Sequence, residues 1–124
     1  DVIINAAAYT AVDKAETEQD LAYAVNSLGS ENLAKICKQY DIPLLHISTD
    51  YVYNGEKQTA YTEDDQADPI GVYGASKLEG DKKIAAIWHK YIILRVSWVF
   101  GEQGNNFVKT MLRLAQTRDE LSIV

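Results

Sequence analysis

Tyr73 and Lys77 stand four residues apart in Val72-Tyr73-Gly74-Ala75-Ser76-Lys77. On a helix that spacing makes a phenol and an ammonium neighbours. A free phenol, with a pKa near ~10, gives up its proton poorly at neutral pH. An ammonium about 5 Å away, at an effective dielectric of roughly 20, would favour the phenolate by about 3 kcal/mol, or roughly two pKa units. Desolvation opposes part of that shift. The pair is therefore expected to move the tyrosine toward the range of a general acid. Tyr53 and Lys57 share the spacing, but Asn54-Gly55 between them is a turn dipeptide, so no helix face joins them. The segment from Tyr73 to Trp88 reads as a helix, with Leu78, Ala85 and Trp88 on one face.

The elements that must position this pair alternate along the chain. Four short apolar runs, Val2 to Asn5, Ile42 to Ile47, Tyr91 to Val96 and Leu121 to Val124, predict strands buried on both faces. Between them lie helical patterns, with Leu33, Ile36, Cys37 and Tyr40 on one and Val108, Met111, Leu112 and Ala115 on another. This order predicts a parallel α/β sheet with right-handed crossovers. The irregular stretch from Asp50 to Val72 is long enough to suggest a functional loop. Ligands in such sheets bind beyond the carboxyl ends of the strands. There stand Asn5-Ala6-Ala7-Ala8, Ser48-Thr49-Asp50-Tyr51 and Ser97-Trp98-Val99-Phe100-Gly101.

Composition narrows the function. The 124 residues suit one domain, and the formal charge of −6 argues against nucleic acid or anionic membrane as the main partner. No apolar run is long enough to span a bilayer. The lone Cys37 allows no internal disulfide and suits a reducing compartment, hence an expected cytoplasmic location. The chain opens without methionine inside one apolar run and stops inside another, as expected of an internal segment of a longer protein.

Taken together, the motifs Asn5 to Glu16, Ser48 to Tyr53, Tyr73 to Lys77 and Ser97 to Gly101 resemble the extended short-chain dehydrogenase/reductase family over essentially the whole chain. The resemblance implies a Rossmann-like, doubly wound domain. Residues 1–124 would be its central and C-terminal part, carrying the catalytic residues. It implies that Thr49, Tyr73 and Lys77 match the family's catalytic Ser/Thr, Tyr and Lys, and the 24-residue gap from Thr49 to Tyr73 fits. Thr49 would orient a keto oxygen, Tyr73 would protonate the alkoxide, and Lys77 would lower the tyrosine pKa and bond the nicotinamide ribose. Within the family the motifs look like those of an NADPH- or NADH-dependent reductase acting on the 4-keto group of dTDP-4-dehydro-L-rhamnose.

Ala6, Ala7 and Ala8, lacking bulk, would let the cofactor approach the backbone, and they would also serve close helix–strand packing. Thr10, Val12, Tyr51, Trp98, Asn105 and Asn106 are the candidates for holding the sugar nucleotide, with helix capping the alternative for one of the two asparagines. Asn26 resembles a supporting asparagine of the superfamily and equally suits an N-cap. His46 and His89 lack clustered partners and are assigned neither catalysis nor a metal. No metal site is expected within the segment, and a homodimer is an expectation for the full-length protein.

Sugar-nucleotide dehydratases of the family carry Thr-Asp-Glu where this chain has Thr49-Asp50-Tyr51, which disfavours dehydration. Epimerases share the tyrosine and lysine and stay open as an alternative. A second alternative is a non-catalytic subunit, like the regulatory subunit of some methionine adenosyltransferases. The family's Gly-x-x-Gly-x-x-Gly fingerprint is absent from these residues and is expected upstream of residue 1. The segment alone is therefore expected to bind cofactor weakly and to be inactive.

Overall fold

The computed structural model describes residues 1–118, 120 and 121. Three strands, β1 (Ile3–Asn5), β2 (Leu44–Thr49) and β3 (Tyr91–Val96), form a parallel sheet in the order β1-β2-β3. The register sets Asn5 beside His46 and Ser48 beside Arg95. Strand β2 starts just after Pro43, whose missing N–H suits the position before a ladder. The fourth expected strand, Leu121 to Val124, falls almost wholly outside the described residues.

From β1 the chain runs through two short helices, α1 (Val12–Ala15) and α2 (Gln19–Tyr23). A wide π-helical turn at Ala24–Leu28 then leads into α3 (Gly29–Gln39). After β2, a 3₁₀ turn at Asp50–Val52 opens the irregular loop. That loop ends at α4 (Val72–Ile87), and α5 (Phe107–Ala115) follows β3.

Helices α3 and α4 cover one face of the sheet. Ala34 and Cys37 from α3, Leu44 from β2 and Ile84 and Trp88 from the end of α4 form its main apolar cluster. The other face is largely open: Ile4 and Ile92 are each 62% exposed. Burial of the strands on both faces is thus corrected, because two-sided burial needs helices on both sides and the described helices pack on one.

Two helix faces also differ from the expected ones. On α3 the buried side chains are Ser30, Ala34 and Cys37, whereas Ile36 and Tyr40 are exposed. On α4 the expected Leu78 and Trp88 are buried, but Ala85 is exposed and the buried stripe also takes in Gly74, Lys77, Asp81 and Ile84. The reason is shared. Close contact with a neighbouring helix or strand admits small or paired polar side chains, which a search for apolar periodicity passes over. Nothing in α5 is fully buried, so its apolar stripe of Val108, Met111, Leu112 and Ala115 has no cover among the described residues.

Two glycines let α4 come in close. A Cβ on Gly74 would sit 2.1 Å from the Tyr51 carbonyl oxygen, and one on Gly80 would sit 2.3 Å from that of Asn26. The start of α4 is also tied from afar, since Val72 N donates to Glu16 Oε1 at 2.8 Å. A carboxylate there satisfies one of the free amides of a helix N-terminus and suits its dipole.

Candidate active site

Thr49 ends β2, and Tyr73 stands in the first turn of α4. The Thr49 hydroxyl accepts from Tyr51 N and donates to Asp50 Oδ1, both at 3.2 Å. These bonds are long for their kinds, so the hydroxyl can be redirected at small cost. Asp50 is steadied from the residue just after β3, where Ser97 Oγ donates to its other oxygen at 2.6 Å. The rings of Tyr51 and Tyr73 meet edge-on, 5.5 Å between centroids.

Burial raises the Tyr73 pKa above its ordinary value. The facing Thr49 hydroxyl pulls it down, and Asp50 and Tyr51 push it further up. This corrects the expected lowering by Lys77. The lysine does share the helix face, but its ammonium turns from the phenol toward the sheet, donating to Ile47 O at 2.7 Å and lying 3.3 Å from His46 Nε2. Lys77 is 1% exposed, and that burial depresses its pKa while Asp81 opposes the shift. The phenol therefore holds its proton at neutral pH, the state required of a proton donor.

The loop after β1 is pinned at both ends. Ala7 N donates to Asn5 Oδ1 at 3.2 Å. Asn26, buried in the π-helical turn, accepts from Tyr9 N at 2.8 Å and donates to Tyr9 O at 3.1 Å. The same amide reaches Ser76 Oγ on α4 at 3.0 Å, one turn beyond Tyr73. Asn26 is thus no N-cap; it stitches the Ala6–Ala8 loop to the helix that carries the phenol. Ala6 and Ala7 are exposed and Ala8 half-buried, with no side chain beyond Cβ. That bare backbone fits the flat approach of a dinucleotide.

The remaining candidates fall into two groups. Thr10 is exposed and Val12, half-buried, opens α1, while Tyr51 lies against Tyr73. Trp98, Asn105 and Asn106 belong to the segment beyond β3. Asn106 is the N-cap of α5, accepting from Lys109 N at 3.0 Å, and its amide donates to Gly101 O. Asn105 and Asn106 line a cavity with Val99, Phe100 and Gly101. Trp98 is 71% exposed at a backbone φ of 51°, and its ring meets Phe107 edge-on. A bulky residue held at positive φ is rare, and such strain is most often kept where a side chain has work to do. No described contact joins this group to Thr49 or Tyr73.

Tyr53 and Lys57 have structural roles. Tyr53 donates to Thr62 O and stacks on Tyr61, and Lys57 pairs with Asp65. The expectation that His46 lacks clustered partners is corrected, because Asn5, Lys77 and Asp81 stand against its ring. Sequence reasoning passed over Asp81 in α4 and Arg95 in β3, which complete this polar group beneath the site. Its trace in the sequence was three polar residues within the apolar runs, Asn5, His46 and Arg95, and an aspartate four positions after Lys77.

Fold and site together define the class: a Rossmann-like α/β domain with a hydroxyl facing a phenol at the carboxyl end of its central strand and a buried amine turned toward the sheet below them. The RmlD substrate binding domain model matches residues 1–124, and the chain belongs to that family. A curated relative from Aggregatibacter actinomycetemcomitans, called dTDP-4-dehydrorhamnose reductase, is 54% identical over 99% of this chain and 42% of its own length. A crystal structure of a dTDP-4-dehydrorhamnose reductase from Clostridium acetobutylicum superposes with a TM-score of 0.94 at 48% identity, covering 97% of this chain and 42% of that one. The enzyme of that name from Bacillus anthracis, solved in complex with NADP, gives 0.93 at 47% identity over 97% of this chain and 43% of its own. The chain thus spans about two fifths of the length of the relatives it matches.

Proposed function

We propose that the protein carrying these residues is an oxidoreductase that reduces the 4-keto group of dTDP-4-dehydro-L-rhamnose to dTDP-L-rhamnose. The observation that carries this reading is the Thr49 hydroxyl facing the Tyr73 phenol at the carboxyl end of β2, in a fold whose first strand is followed by the side-chain-poor Ala6–Ala8 loop. The names of the relatives and the NADP held by the Bacillus anthracis structure support it.

NADPH or NADH supplies the hydride when bound. Ala6, Ala7, Ala8, Tyr73 and Lys77 are the residues that would hold it. Thr49 exchanges its long bond to Asp50 for one to the keto oxygen, since a hydroxyl has one proton to donate. As negative charge grows on that oxygen, Tyr73 gives up its proton. Lys77 carries the positive charge that makes this loss easier once its ammonium faces the phenol. Thr10, Val12, Tyr51, Trp98, Asn105 and Asn106 are assigned to the sugar nucleotide. Residues 1–124 act as part of the cofactor-binding domain in a cytoplasmic protein, and a homodimer is the proposed assembly.

The test is NADPH oxidation by the full-length protein with dTDP-4-dehydro-L-rhamnose. Tyr73→Phe and Thr49→Val should each lower kcat/KM by roughly 10²–10⁴-fold. Tight cofactor binding with no turnover would favour a non-catalytic binding subunit instead.

A further inference from the structure

Beneath the site lies a buried polar chain whose hydrogen bonds can be assigned. A backbone N–H can only donate, so the bond from Ala7 N fixes Asn5 Oδ1 on that side and Asn5 Nδ2 toward His46 Nδ1, 2.9 Å away. His46 Nδ1 is then the acceptor, and a neutral imidazole with that arrangement carries its proton on Nε2. Two groups face Nε2: Lys77 Nζ at 3.3 Å and Asp81 Oδ1 at 3.5 Å. An ammonium has no lone pair to accept, so the acceptor facing the Nε2–H is Asp81 Oδ1, which at 3.5 Å is beyond hydrogen-bond geometry and has no hydrogen-bond partner among the described residues. The other Asp81 oxygen accepts from Ser48 Oγ at 2.7 Å and lies 3.8 Å from Arg95 Nε.

Lys77 and Asp81 stand four residues apart on α4, both nearly fully buried, a spacing at which opposite charges attract. Among the ion pairs of the described residues, Asp81 is matched with His46 and Arg95 and not with Lys77. We propose that His46 is a positioning residue for Lys77: its imidazole edge, locked by Asn5, stands between Lys77 and Asp81 and keeps a buried ion pair from closing. The lysine then retains donors for the site above it, held only by the Ile47 carbonyl. The groups facing His46 are Asn5 from β1 and Lys77 and Asp81 from α4, with Arg95 of β3 on the far side of Asp81. This inference rests on the function proposed above only for the use to which Lys77 is put.

The first test needs no variant. In the full-length protein, ¹⁵N NMR of the imidazole should report His46 as the neutral Nε2–H tautomer at pH 7; the Nδ1–H tautomer or an imidazolium would overturn the proposal. Titration of the Lys77 ¹⁵Nζ signal should show a higher pKa in His46→Asn than in wild type, and a return in the His46→Asn, Asp81→Asn double variant. An unchanged lysine titration in His46→Asn would also overturn it. His46→Gln, whose amide nitrogen can stand where Nε2 stands, should keep the wild-type lysine titration. In the reductase assay His46→Asn should lose roughly 10²-fold in kcat with little change in KM for the sugar nucleotide, and removing Asp81 as well should recover most of that loss. A wild-type protein without reductase activity would sink the proposed function while the NMR measurements still decide the role of His46.

Discussion

At the residue scale, the site places titratable groups in dry surroundings, and burial sets the direction in which their pKa values move. His46 is fully buried, and burial, aided by Lys77, depresses its pKa from 6.5 to about 4. The unfolded chain therefore takes up this proton first as the pH falls, and stability drops between pH 6.5 and about 4, by at most ~1.4 kcal/mol per pH unit. Asp81 works the other way. Burial raises its carboxyl pKa, so the native state binds that proton before the unfolded chain does and offsets part of the loss at the acid end. Urea denaturation of the full-length protein should show a lower midpoint at pH 5 than at pH 7, and His46→Gln should flatten the difference. Equal midpoints in the wild type would contradict this account.

At the scale of elements, α4 carries most of the site, and its placement depends on close approach. Gly80→Ala should destabilise the fold by about 1–3 kcal/mol, because the added Cβ would meet the Asn26 carbonyl oxygen at 2.3 Å and backbone on both sides must shift. Ala85→Gly, on the exposed face of the same helix, should cost about 1 kcal/mol or less through helix propensity alone. Thermal or urea denaturation of the two variants separates packing from propensity: similar losses in both would show that the contact at Gly80 is slack. The expectation of a helix from Tyr73 onward held, as did the parallel order of the strands, because apolar runs and breakers such as Asn54-Gly55 act locally. Of the face expected on α4, Leu78 and Trp88 are buried and Ala85 is not; that the stripe also contains Lys77 and Asp81 was not legible, because only their partners on β2 make that burial tolerable.

On the scale of the whole molecule, the described residues leave one sheet face and the stripe of α5 uncovered, and the chain spans about two fifths of its relatives. The Ala6–Ala8 loop provides a surface without bulk, but no glycine-rich phosphate loop lies within these residues. A polypeptide of these 124 residues alone should therefore bind NADPH far more weakly than the full-length protein and show no turnover. Isothermal titration calorimetry of both checks this, and micromolar binding by the short chain would refute it.

By itself the sequence determined the parallel α/β order, the strand-end location of Thr49 and the pairing of Tyr73 with Lys77 on one helix, since each follows from local periodicity and turn chemistry. Only the tertiary structure decided which way the lysine points, why the phenol keeps its proton, and that His46 stands against Asp81. Those outcomes depend on desolvation and on hydrogen bonds between residues 31 to 41 positions apart, and no local pattern encodes them.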